Sequence, residues 1–321
     1  MTLLRVWCQI AFLLLGTAGT HFRGMSELAD FSKSADAELL LYSAGPTLLV
    51  KGEVKTFEFG ETSLFSPGAC CVHDAVPSLS SDGKRIAYVR LVSAKPRREV
   101  VSIYDIGERT RSDVFNAAAI WGVAWSPDGN RLAVVASLKV LSVTEAADDL
   151  YVITVSPHSV RQLSHGAFET DQRLSLFVSG QSRPSWNPAS SKIAFQAGTG
   201  SIVIWDMTQN KFLKVADGKA PSWSPVDDLI AYIDPSGLKC MGVRVGSSEK
   251  TLLFSSQRRF MSGQAPLFFP VVWAPKGDSL IFHQEGDENL IMDIYEFNFA
   301  NRKSRFITRS GLRVVDWRNG E

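Results

Sequence analysis

Histidine is the residue type in this chain best suited to metal binding or acid–base catalysis. There are five: His21, His73, His158, His165 and His283. No two are spaced as metal ligands on one strand or helix, and Cys71 with His73 has no matching second pair. Lyase-type metal chemistry needs several histidines converging on one point, and only His73 and His165 stand in segments suited to that. The sequence therefore predicts no metal site and no cofactor.

The sequence gives equally little support for a catalytic nucleophile and for a calcium site. Residues 180–183 begin like the nucleophile elbow of a serine hydrolase, but Pro184 stands where the motif requires glycine and no helix follows. Asp82-Gly83, Asp128-Gly129 and Asp227-Asp228 do not repeat oxygen ligands at calcium-loop spacing. Their carboxylates are better suited to holding turns by hydrogen bonds to the backbone. We therefore predict a protein that is not an enzyme.

A repeat must position whatever binding residues the chain carries. The repeat has five full copies and one truncated copy, which read PSLSSDGKRIAY (77–88), VAWSPDGNRLAV (123–134), PSWNPASSKIAF (184–195), PSWSPVDDLIAY (221–232), VVWAPKGDSLIF (271–282) and RVVDW (313–317). Each copy is a short strand ending in a large apolar residue, then a turn, then an apolar strand. The anchors are Leu79, Trp125, Trp186, Trp223, Trp273 and Trp317.

The repeat period predicts a propeller. Successive anchors are 46, 61, 37, 50 and 44 residues apart, a spacing typical of four-stranded propeller blades. The last anchor has only four residues after it, whereas 38–43, 47–51 and 55–60 look like three strands without an anchor. We infer an all-β, six-bladed β-propeller that is closed when the C-terminal strand joins the N-terminal strands, because closure removes exposed sheet edges.

The repeats resemble those of the TolB-like propeller family, most clearly in PSLSSDGKRIAY, VAWSPDGNRLAV and PSWSPVDDLIAY. The resemblance covers roughly residues 35–321. It implies an envelope protein that contacts another protein and carries no catalytic residues. The α/β domain that precedes the propeller in TolB itself has no counterpart here. Similar repeats occur in prolyl-oligopeptidase-type peptidases and in oligogalacturonate lyases, so the resemblance is specific for the fold rather than for the function.

Strand order places the candidate binding residues. The loops that lead into the innermost strands surround one mouth of the channel, whereas the Pro-Asp-Gly turns lie on the opposite face. Loops on a rigid scaffold are where binding residues concentrate, and aromatic residues and arginine dominate interface hot spots. The residues just before the anchor strands are therefore the predicted partner-binding set: His73, Asp74, Trp121, Arg183, Lys219, Phe268, Phe269 and Arg313.

The first twenty residues predict export. Arg5 precedes a ten-residue apolar run, 6–15, in which Gln9 is the one polar residue, and the small residues 16–19 follow, as in a secretory signal peptide. Residues 21–34 form a short lead with a brief helix at 26–34, and residues 35–321 form the propeller. We expect a periplasmic or secreted monomer with no stable membrane insertion after cleavage. Cys240 could pair with Cys70 or Cys71 in an oxidising compartment, or all three could be buried thiols.

Composition and net charge limit the classes of partner that the sequence predicts. Hydrophobic residues make up 45% and charged residues 21%, with 34 basic and 33 acidic side chains. A net charge this close to zero argues against nucleic acid as a partner. The leading hypothesis is a non-enzymatic exported propeller that binds a protein or peptide at its mouth. The alternatives are a polysaccharide-binding or lyase-type propeller, and a cytoplasmic scaffold if Met25 is the true start.

Overall fold

The computed structural model of the chain describes residues 23–42, 46–55, 77–94, 96–138, 149–163, 183–197, 200–256, 258, 260, 271–285, 291–310 and 312–319. Within these ranges lie one helix, α1 (residues 23–34), and twenty-four strands in six antiparallel sheets of four. The first strands of the blades touch one another in an unbroken ring. The predicted six-bladed β-propeller is confirmed.

Blades 1 to 5 are each built from strands that follow one another in the chain, with the first strand at the channel. Blade 1 contains β4 (Ser78–Leu79), β5 (Arg85–Ala94), β6 (Arg97–Asp105) and β7 (Thr110–Ala117). Blade 2 contains β8 (Ala119–Trp125), β9 (Arg131–Ser137), β10 (Asp149–Thr154) and β11 (Ser159–Gln162). Blade 3 contains β12 (Ser185–Trp186), β13 (Lys192–Ala197), β14 (Ser201–Asp206) and β15 (Lys211–Asp217).

The remaining three blades complete the ring. Blade 4 contains β16 (Lys219–Trp223), β17 (Leu229–Ile233), β18 (Lys239–Arg244) and β19 (Lys250–Ser255). Blade 5 contains β20 (Val272–Trp273), β21 (Ser279–Glu285), β22 (Met292–Asn298) and β23 (Lys303–Ser310). Blade 6 contains β24 (Arg313–Asn319), β1 (Ala37–Tyr42), β2 (Pro46–Val50) and β3 (Glu53–Lys55).

Blade 6 closes the ring as predicted. The C-terminal strand β24 pairs with β1, placing Trp317 opposite Leu39, and β1 continues to β2 and β3. The predicted third strand, 55–60, is wrong in its start. The chain already reverses at Lys51 and Gly52, both with positive φ, so β3 begins at Glu53. Residues 56–60 lie outside the described residues.

Helix α1 seals the closing seam. It starts three residues before the predicted 26–34 helix and buries Leu28 and Phe31 in the apolar cluster between blades 5 and 6. The Phe31 ring meets Trp317 edge-on at 5.4 Å between centroids. Burying aromatic rings in such pairs stabilises beyond their area alone. The N-terminal lead therefore belongs to the same core as the strand that closes the ring.

The tryptophan anchors fill the wedges between blades, as the repeat predicts. The Arg85 guanidinium stacks 4.6 Å from the Trp125 ring and donates to the Gly129 carbonyl oxygen of the next turn, at 2.9 Å. Arg131 stacks in the same way on Trp186 in the following seam and donates to a carbonyl of the next turn. The arginine that follows a turn thus joins its blade to the next one by a cation–π contact and a hydrogen bond.

Two of the turn aspartates, Asp82 and Asp128, have the structural role expected of them. Asp82 accepts hydrogen bonds from the Ser80 hydroxyl and the Lys84 backbone N–H. Asp128 accepts from Ser126 and Asn130 in the same arrangement. Such side-chain bonds stabilise the reversal of the chain between the first two strands of a blade.

Cys240 is a free thiol buried between blades 4 and 5, and this burial raises its pKa. Cys70 and Cys71 lie outside the described residues.

The helix of the described region is too short and too polar to cross a bilayer. The predicted signal peptide lies outside that region.

Candidate functional site

The antiparallel strand order gives the ring two chemically different faces. Connections from first to second and from third to fourth strands lie on one face, which we call the turn face. Connections from second to third strands, and from each blade to the next, lie on the other, which we call the mouth face. The predicted binding residues precede first strands and therefore belong to the mouth face or the adjoining channel.

Four of the eight predicted binding residues lie outside the described residues: His73, Asp74, Phe268 and Phe269. The structure describes the other four, which are Trp121, Arg183, Lys219 and Arg313. These four are not brought together. They occupy four different blades, and their surroundings differ enough that each is considered separately.

Arg183 spans the channel. It stands just before β12 of blade 3, and its Nη2 lies 2.7 Å from Asp316 Oδ2 on β24, in the opposite blade of the ring. The same guanidinium donates to the Val315 carbonyl oxygen and, at 2.8 Å, to the Ser78 hydroxyl of blade 1. Both side chains of the ion pair are only about one tenth exposed, at 11% and 10%. Arg183 is therefore a strut across the ring.

Asp316 is the centre of this network. Besides Arg183, its Oδ2 accepts the Leu79 backbone N–H of blade 1 at 2.7 Å. Ser78 has a similar role in the next seam, because its hydroxyl accepts the Trp125 backbone N–H of blade 2. The position before each of these anchors thus carries a polar side chain that holds the neighbouring first strand, and the ion pair ties blades 3, 6 and 1 together.

A small cavity occupies the channel beside the strut. Its volume is about 120 Å³, which is room for about four water molecules at roughly 30 Å³ each. Anchor tryptophans and three turn-face prolines, Pro127, Pro225 and Pro275, form its walls. Arg183, Asp316 and Arg318 are the charged side chains among the described residues that line it. This cavity is smaller than the pockets of about 300–1,000 Å³ that enclose typical organic ligands.

Arg313 is also buried rather than presented to a partner. It starts β24 and is only 9% exposed. It lies near His283 of blade 5, whose Nε2 accepts the Val314 backbone N–H at 3.1 Å. Burial, together with the nearby Arg313 charge, lowers the His283 pKa to about 3. His283 is thus a neutral acceptor that holds β24 against blade 5.

The remaining two predicted residues are half-buried at the mouth. Trp121 is the extra residue of a bulge in β8, between Ile120 and Gly122, and its ring packs against the cluster between blades 2 and 3. Lys219 begins β16 opposite Ile233 and directly precedes another bulge. Bulges redirect side chains, so the sequence position alone did not show how far these two project.

The mouth face of blade 5 carries an arginine pair that was not among the predicted residues. Asp293 on β22 is 2% exposed, and both Arg309 on β23 and Arg258 from blade 4 donate to its carboxylate. The two arginine side chains remain 44% and 48% exposed. The Asp293 carboxylate holds both guanidinium groups in place, and both remain partly open to solvent.

The described ranges contain no cluster of side chains that could bind a metal ion. No three histidine, cysteine, aspartate or glutamate side chains of those residues converge as metal ligands. His73 and His165, the two histidines best placed by sequence, lie outside those ranges.

Sequence reasoning did not identify Asp316, which is the partner of Arg183, or Ser78 and Arg318, which lie beside this ion pair. A detectable signal existed, because the position before the anchor should face the channel and is polar in four of six copies: Ser78, Ser185, Ser222 and Asp316. An aspartate among serines at that position indicates a charged partner in the channel. His283 carried a subtler signal, since Gln196 occupies the equivalent position in blade 3 and accepts the Ala220 backbone N–H.

Comparisons with known proteins place the fold but not the function. No family model and no curated protein matches the chain. Among solved structures, a chain from a nidogen/laminin complex is 11% identical with a TM-score of 0.55, covering 89% of this chain and 98% of that one. The β-propeller domain of the Trilobed protease from Pyrococcus furiosus is 14% identical with a TM-score of 0.50, covering 82% and 74%.

A third structure, an oligogalacturonate lyase in complex with manganese, is 11% identical with a TM-score of 0.47, covering 72% of this chain and 64% of that one. At these identities the likeness shows the β-propeller architecture alone. The propeller of the Trilobed protease is described as having an open Velcro topology. In the present chain β24 and β1 are paired within blade 6.

Proposed function

We propose that this chain is an exported, non-enzymatic β-propeller of the TolB-like kind that binds a protein or peptide partner on its mouth face. Export rests on the signal-like pattern of the first twenty residues. The TolB-like character rests on the repeats. The observation that carries the binding face is the unequal length of the connections on the two faces of the ring.

Connections on the turn face are uniformly short. None between consecutive strands there exceeds five residues, as in 80–84 and 245–249. On the mouth face, four connections have 11 to 22 residues: 56–77, 138–148, 163–184 and 256–271. Long loops in a compact domain are uncommon and are generally functional when they stand on a rigid scaffold. The additional chain length therefore favours binding at the mouth face.

The arginine pair of blade 5 adds chemistry to this face. Arg258 and Arg309 remain about half exposed while Asp293 fixes their guanidinium groups. Arginine is enriched in interface hot spots, and a held guanidinium loses little entropy on binding. Guanidinium groups that are fixed and exposed in this way favour a partner segment that carries acidic side chains.

The channel supports a surface site over an enclosed one. The Arg183–Asp316 strut crosses it, and the cavity of about 120 Å³ is too small for an oligosaccharide or a peptide strand. A propeller of this architecture also occurs in the nidogen/laminin complex, an assembly of two proteins. No observation within the described residues favours the polysaccharide-binding or lyase-type alternative.

The test is capture of a partner by the exported protein and by Arg258→Gln. This variant leaves Arg309 paired with the buried Asp293 carboxylate, so the fold should be retained. We expect the amount of the main captured partner to fall at least fivefold in quantitative affinity capture, because one fixed guanidinium is lost. Arg305→Gln is the matched control, since Arg305 lies on the same strand as Arg309, is exposed and pairs with Glu296. Equal capture by wild type and Arg258→Gln would overturn the arginine contact.

A further inference from the structure

The channel cavity differs from the mouth face in access and size. Only three of the described side chains that line it are charged, and Arg183, Arg318 and Asp316 together give it a net charge of +1. Asp316 already compensates Arg183 at 2.7 Å. Arg318 Nη2 donates to the Leu79 carbonyl oxygen at 3.2 Å and lies 4.0 Å from Asp316 Oδ1, beyond hydrogen-bonding distance. Among the described residues, its positive charge therefore has no directly bonded carboxylate.

The walls strengthen that charge. Trp223, Trp273 and Trp317 are among the indole rings that line the cavity, and Pro225 and Pro275 stand at its turn-face end. These rings narrow the channel and shield the charged groups from part of the solvent, so a guanidinium attracts an anion there more strongly than at the open surface. Arg183 itself is about nine-tenths buried, so the cavity already contains a fixed cation.

The cavity extends to the turn face. The lining extends from Arg183, three residues before an anchor, to the prolines two residues after other anchors. The Arg183 side chain spans the channel toward Asp316 at the inner end. Arg318 is the outermost of the three charged groups, with 32% of its side chain exposed. A ligand entering from the turns would therefore meet the Arg318 guanidinium first.

We propose that this cavity binds a single small carboxylate from the turn face, held by Arg318 and facing the Arg183–Asp316 pair. One negative charge matches the net charge of +1, whereas a doubly charged phosphate would leave a buried excess. The planar guanidinium group suits the planar carboxylate, which it can bind through two parallel hydrogen bonds. A volume of about 120 Å³ admits a carboxylate with a short carbon chain and excludes larger acids.

The proposed site is independent of partner binding at the mouth. It lies toward the opposite face and uses none of the residues assigned to the mouth contact. The same chemistry could be supplied by a free short-chain carboxylate or by the C-terminal carboxylate of a peptide. Because the wall contains anchor tryptophans, binding should alter indole fluorescence and the indole N–H signals in NMR spectra.

The test titrates the full-length exported protein with acetate and propionate, and with acetamide and propionamide as uncharged analogues, at constant ionic strength. We expect saturable changes in tryptophan signals with the acids and none with the amides. Arg318→Gln should weaken acetate binding at least tenfold. Arg244→Gln should leave it unchanged, because Arg244 is an exposed arginine that pairs with Asp227 at the turn face, outside the channel.

Thermal melting followed by circular dichroism checks that Arg318→Gln remains folded. Equal responses to acetate and acetamide, an undiminished response in Arg318→Gln, or no saturable response in the folded wild type would each overturn the proposal. Short peptides with free or amidated C-termini identify the source. Binding of the free-acid peptide assigns the site to a chain terminus, whereas binding of acetate alone assigns it to a free metabolite-sized acid.

Discussion

Replacing Asp316 by asparagine is expected to destabilise the protein by about 3–5 kcal/mol, the usual cost of removing one partner of a buried ion pair. Asparagine can still accept the Leu79 backbone N–H, so the loss isolates the charge facing Arg183. Arg183 is only 11% exposed and would keep its positive charge without a compensating carboxylate. The measurement is the free energy of unfolding from urea denaturation.

The matched control is Asp217→Asn. Asp217 pairs with Lys214 at 2.8 Å, but both side chains are more than half exposed. Such pairs contribute about 0–1 kcal/mol. The double variant Arg183→Gln with Asp316→Asn should lose less than the sum of the two single variants, with a coupling of about 2 kcal/mol or more. A loss for Asp316→Asn no larger than that of Asp217→Asn would contradict the strut.

Acidification should destabilise the protein through His283. The unfolded residue has a pKa near 6.5, and the folded one is lowered to about 3. The unfolded state therefore binds more protons between these values, so this contribution to stability is complete above about pH 6.5 and decreases as the pH falls toward 3. The slope approaches about 1.4 kcal/mol per pH unit, which amounts to about 2.5 kcal/mol at pH 4.5.

His283→Gln tests this assignment. Gln196 already fills the equivalent position in blade 3 and accepts a backbone N–H from the next blade, so glutamine should hold β24 in the same way. We expect the variant to lose less stability than wild type between pH 6.5 and 4.5, as followed by urea unfolding across that range. His158→Gln, at an exposed histidine, should behave as wild type. Identical pH profiles for wild type and His283→Gln would remove His283 as the cause.

The architecture was predictable because it repeats. A large apolar anchor near the end of each first strand, tryptophan in five of the six blades, recurs through the chain with a turn and an apolar return strand. The incomplete ends imply that β24 joins β1. The start of β3 was predicted wrongly because Lys51 adopts a positive φ, and a lysine does not indicate such a conformation in a sequence. Local patterns of this kind determine strands and blades, since neighbouring residues form them.

The site was less predictable because its contacts are long-range. Arg183 was correctly placed before an innermost strand, but its partner Asp316 lies 133 residues away across the ring. Charge reversal at Arg183 or Arg313 would therefore disturb folding before it reported on binding. The exposure of Arg258 and Arg309 likewise depends on Asp293 being buried between them, which no local pattern encodes.

The most direct test of partner binding at the mouth face is site-specific photocrosslinking in the exported protein. A photoreactive residue would replace exposed Arg98 or Arg258 near the mouth, Lys276 on the turn face, or Leu213 on the outer strand of blade 3. We predict one shared crosslinked partner from positions 98 and 258 and none from 276 or 213. Crosslinking of that partner from position 276 or 213, with none from the two mouth positions, would contradict the proposed binding face.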